Sequence, residues 1–117
     1  QDARDAGPSE DRKRDAVQWG NLFGEARQRL VSAVDRGEYL EERMTELSAG
    51  WERVTTGDTD STLEAEFARQ TQQIGQELED NSQVIQAARD AIKALEREAR
   101  LEGVLAGTIR QLLGDLP

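Results

Sequence analysis

The chain has 117 residues, 33% of them charged and only 4% aromatic, and carries a net charge of −9. So few large apolar groups exclude an ordinary globular core, because burial has to offset the conformational entropy of ordering each residue. The excess of 24 acidic over 15 basic residues excludes a phosphate backbone as partner, and with it an anionic membrane surface.

Disorder and an elongated helical structure with a narrow apolar seam are the two ways such a chain can exist. Ala, Glu, Arg, Leu and Gln dominate, and proline occurs only at Pro8 and Pro117, so the composition selects helix. The absence of Cys removes disulfides and thiolate metal sites and leaves the compartment open, extracytoplasmic or cytoplasmic. No apolar stretch approaches the roughly 20 residues of a membrane-spanning helix. The sequence opens at Gln1 rather than Met, which points to a processed chain or an excised segment.

Residues 1–15 offer almost nothing to bury and read as a flexible polar leader. From Ala16 the apolar spacing turns regular: Trp19, Phe23, Ala26, Leu30 and Ala33, then Gly37, Leu40, Met44, Leu47, Trp51 and Val54. Steps alternate by three and four, the a/d ladder of a left-handed coiled coil. It predicts a first helical arm over about 12–55. A cluster of turn formers follows, placing a turn at about 56–61, with Asp60 or Ser61 as N-cap and Glu64 in reach of a capping box. A second ladder then runs from Phe67 through Thr71, Ile74, Leu78, Asn81, Ile85, Ala88, Ile92, Leu95 and Ala99. It continues in phase through Glu102, Ala106, Ile109, Leu113 and Leu116, predicting a second arm over about 62–115.

Folding back at the turn pairs ladder residues whose numbers sum to 118: Trp51 with Phe67, Met44 with Ile74, Leu40 with Leu78, Ala26 with Ile92, Trp19 with Ala99. Small faces large in several of these layers, as interdigitating layers require. The two ladder positions least suited to a core, Gly37 and Asn81, fall in one layer, which fixes register at some cost in stability. Arg43 with Glu77 and Arg27 with Glu96 are the expected flanking ion pairs. The predicted fold is therefore all-α, a long antiparallel two-helix coiled-coil hairpin. Its alternative breaks both arms at the Gly37 and Asn81 layer to give a compact three- or four-helix up-down bundle.

The second ladder outruns the first. Leu101, Val104, Leu105, Ile109, Leu112, Leu113 and Leu116 have no facing residues in a two-arm hairpin, which makes them the candidate partner-binding set. A tail folded back onto a short helix from the leader, around Ala3 to Ala6, is the competing expectation. Gly20 and Gly24 are read as making space around Trp19 and Phe23. With no His or Cys and no Gly-rich phosphate loop, nothing supports catalysis, a cofactor or a metal site. The expected function is a non-enzymatic structural or adaptor coiled coil, associating with itself or with a protein partner. An extracytoplasmic sensory or spacer domain of a membrane-associated protein, and a secretion or cargo chaperone, are the alternatives.

Overall fold

The computed structural model describes residues 13–54 and 61–117. The fold is an all-α helical hairpin in which two long helices pack together. Helix α1 is Ala16–Val54, α2 is Ser61–Leu101 and α3 is Ala106–Leu113. α1 runs unbroken through Gly37 and α2 through Asn81, so neither arm breaks where a four-helix bundle requires it. The expected turn at 56–61 and Asp60 as a cap lie outside the described residues, apart from Ser61, where α2 begins.

α1 starts at Ala16 rather than near residue 12 because Asp15 caps it. The Gln18 N–H donates to Asp15 Oδ1 at 2.8 Å, and the Asp15 N–H donates to Gln18 Oε1 at 2.9 Å. This reciprocal capping box satisfies two backbone donors at the helix start. The second arm also ends early. α2 stops at Leu101, where the spacing carries it to about 115, and a separate short helix follows.

The chain forms two packed units. Among the described residues, one combines those up to Arg29 with Ala88–Pro117, the terminal unit, and the other those within Leu30–Ala87, the turn unit. In the turn unit the seam residues Ala33, Leu40 and Ile74 are buried, whereas Met44, Leu47, Trp51, Phe67, Leu78 and Ile85 are half-buried. Two helices alone cover only one side of each seam residue. Trp51 stacks on Phe67 with ring centroids 4.6 Å apart and planes at 16°, the pair the register predicts. Thr71, another seam residue, buries its hydroxyl without a hydrogen-bond partner among the described residues.

The polar layer takes a definite form. Asn81 Nδ2 donates to the backbone carbonyl of Ala33 at 2.8 Å. A Cβ on Gly37 would sit 3.1 Å from that amide nitrogen. In an α-helix the Ala33 carbonyl also receives the Gly37 N–H, so the amide shares an acceptor that only a bare glycine leaves open. Gly37→Ala alone is expected to leave stability within about 0.5 kcal/mol of the parent. The roughly 1 kcal/mol of helix propensity gained is offset by the displaced amide and its hydrogen bond. In an Asn81→Ala background the same change is expected to stabilise by about 1 kcal/mol. Urea denaturation of the four-member cycle checks this, and additive effects would rule out the coupling.

The ion pairs differ from those the spacing suggests. Glu77 binds Arg36 at 2.7 Å, whose guanidinium lies 5.4 Å from the centre of the Tyr39 ring. Arg43 instead meets Glu46 on its own helix at 3.3 Å. A tyrosine ring under the guanidinium holds Arg36 in place for Glu77, which a lone extended side chain at Arg43 does not have.

Candidate partner-binding surface

The end of α2 is set by one residue. Gly103 has φ +93°, a conformation that L side chains rarely adopt. The Val104 N–H donates to the Ala99 carbonyl at 2.9 Å, and the Gly103 N–H to the Arg100 carbonyl at 3.0 Å. These are the two bonds of a Schellman motif, with Gly103 at the left-handed position just past the helix. They satisfy carbonyls at the helix end and turn the chain back, so here the ladder does not continue as one rod.

α3 then packs on the start of α1. Leu112 lies beside Gly20, where a Cβ would be 3.8 Å from Leu112 Cδ2. Arg27 reaches the Asp115 carbonyl at 3.3 Å from Nη2 and 3.4 Å from Nε, rather than Glu96. Gly20 therefore borders α3, while a Cβ on Gly24 would meet nothing within 4 Å beyond its chain neighbours. Here lies the core of the terminal unit. Trp19, Phe23, Ala26, Ala99, Ile109 and Leu113 are all at most 5% exposed. The Trp19 and Phe23 rings sit 5.7 Å apart.

Arg14 closes the end of this unit. Its Nη1 contacts Glu98 at 2.9 Å and Glu102 at 3.6 Å, its backbone N–H donates to Glu102 Oε1 at 2.9 Å, and its guanidinium covers the Trp19 ring at 4.8 Å. Arg14 and Asp15 thus belong to the folded unit rather than to the leader. Glu102, the odd carboxylate of the ladder, is accounted for by Arg14. The Trp19 indole N–H is buried without an acceptor among the described residues.

The seven candidate residues separate into two groups. Ile109 and Leu113 are buried beneath α3, and Val104 and Leu112 are half-buried, so four of them meet the chain itself. The tail lies on α1, and the leader residues around Ala3 to Ala6, where the folded-back expectation placed it, lie outside the described residues. Leu101 at 82% exposure, Leu105 at 74% and Leu116 at 41% remain in water. Val17, on the first turn of α1, is 70% exposed and belongs to the same unit. A few exposed leucines are ordinary, but two flanking one tight turn form a local apolar surface.

The turn unit carries a second surface that the spacing did not single out. Leu47, Gly50, Trp51, Leu63 and Phe67 line an open groove of about 420 Å³, with Arg43, Glu46, Glu66 and Gln70 on its rim. Hydrogen bonds from Arg69 and Gln70 hold the Glu66 carboxyl below its ordinary value. Trp51 and Phe67 were legible as a core pair; their half-exposure was not, because no ladder position reports how many helices cover it.

No family model, curated protein or solved structure matches the chain. None of the helices of the described residues is long and apolar enough to cross a membrane.

Proposed function

We propose that the chain is a non-enzymatic helical module for protein–protein association, whose binding surface centres on the turn between α2 and α3. The observation that carries this reading is the exposure of Leu101 and Leu105 on either side of the Gly103 cap. Each keeps most of its side chain in water, although hiding a leucine stabilises by about 1.5–3 kcal/mol. A partner surface that covers both recovers that free energy. The core positions next to them are already filled by Ile109 and Leu113, which leaves the two leucines for a partner.

Sedimentation velocity over a concentration series tests the reading. The parent chain is expected to associate, and the Leu101→Glu/Leu105→Glu variant to remain monomeric. Exposed substitutions of this kind shift stability by only about 0.5 kcal/mol, so helicity and the thermal midpoint should hold. Association that survives the double substitution would place the interface elsewhere.

A further inference from the structure

The segment Glu102–Leu105 separates two helices whose apolar positions are in a single heptad phase. Ala99, Glu102, Ala106, Ile109, Leu113 and Leu116 still step by three and four across the break. A sequence that only had to form a folded-back strap has no reason to keep that phase. One that also forms a continuous helix does. The break rests on two backbone features incompatible with a straight arm, Gly103 at φ +93° and Leu105 in the extended region at ψ 148°, and of these only the first disfavours an L side chain.

We propose that α3 is an exchangeable strap. It closes on its own α1 in the monomer, and with residues 102–105 straightened into helix it closes on α1 of a second copy, in a twofold dimer. This deepens the association reading above and rests on it, since it names the partner as another copy of this chain.

Direction and length both permit the exchange. Glu102 meets Arg14, Leu112 meets Gly20 and Asp115 meets Arg27, so α3 runs in the same direction as α1. A straightened α2 runs opposite to its own α1, and a twofold axis across the helix ends turns that into the direction of the second copy's α1. The strap therefore lands in its groove with the polarity it has in the monomer. A straight arm carries Leu112 about 16 Å past Leu101, and Gly20 lies about 6 Å into α1, at 1.5 Å per residue. The difference of about 10 Å is the gap left along the axis between the two α1 starts, so the strap reaches its groove without the two copies overlapping. At the axis the two straightened segments pass antiparallel, which brings Leu101 and Leu105 of one copy to those of the other. The buried surface of the strap is the same in both states. What the dimer adds is cover for the two leucines that the monomer leaves in water.

Gly103→Ala tests the proposal. Alanine disfavours the left-handed turn and favours the straight helix, and with two chains per dimer the association constant is expected to rise about a thousandfold. The exchange itself is read by cross-linking. The chain has no native Cys, so a Gly20→Cys/Leu112→Cys pair joined by a short bifunctional thiol reagent reports one contact. An exchanged dimer gives a covalent dimer under denaturing conditions, whereas a closed monomer gives only internally linked single chains. A Gly103→Ala protein that stays monomeric overturns the proposal and leaves the association reading to its own test. A dimer whose links are all internal overturns the exchange while leaving association standing. Should Gly103→Ala fail to fold, the Cys pair with Gly103 retained is refolded at high concentration. Linked dimers there support the exchange, and internal links alone overturn it.

Discussion

Phe23→Ala is expected to lower stability by about 3–5 kcal/mol, the usual cost of removing a fully buried aromatic ring. Phe23 is 0% exposed and lies 5.7 Å from the Trp19 ring centre. The change therefore removes the transfer free energy of the ring, leaves a cavity and loses an aromatic contact. Domains of this kind have only about 5–15 kcal/mol in total, so about a fifth or more of the margin disappears. Urea unfolding followed by far-UV circular dichroism measures it. Leu47→Ala makes a useful contrast. It too is a ladder residue, but it is half-buried between two helices, and its loss is expected to be about half as large. A Phe23→Ala cost below about 1 kcal/mol would mean that the ring is not packed under a third helix.

The seam itself was legible in the sequence. The a/d spacing of an antiparallel pair determines which residues face inward, and the midpoint turn determines their register. Trp51 on Phe67 and Asn81 in the space left by Gly37 follow from those two facts. The burial depth was not legible. Phe23 and Met44 hold equivalent ladder positions, yet one is 0% exposed, in the unit that carries α3, and the other is half-buried, in the unit that does not. Heptad phase cannot reveal that cover: a helix that stops, turns and packs back presents the same residues as one that continues. The signal that was present lay in Gly103 itself, preceded by Arg100 in the last turn and followed by the apolar Val104, the composition of a Schellman end. Arg14 carried no such signal. A charged residue in a polar leader is distinguished only by the carboxylates that the fold brings to it from the far end of α2.

The strap supplies the second large effect, and Ile109→Ala is expected to release it. Ile109 is 2% exposed, and with Leu113 it is one of two fully seated side chains on a helix of only eight residues. A helix so far below the roughly 12–15 residues needed for marginal stability in water owes its structure to docking. Truncating a buried isoleucine costs about 2–5 kcal/mol where the site cannot relax. Here the cost has a ceiling, because the helix detaches once its docking free energy is exhausted, while the rest of the chain remains folded. Local opening should therefore change far more than global unfolding. Arg110 lies in the middle of α3 and is exposed, which makes tryptic cleavage there a direct gauge of detachment. A loss of about 2 kcal/mol raises the open population, and the cleavage rate with it, about 30-fold. Trp19 reports the same event. In a Trp51→Phe background its emission should move to longer wavelength as the strap leaves, with far-UV circular dichroism falling only by the share that α3 contributes. If cleavage at Arg110 is unchanged while the whole chain loses stability, α3 is an integral part of the core and not a strap that can leave it.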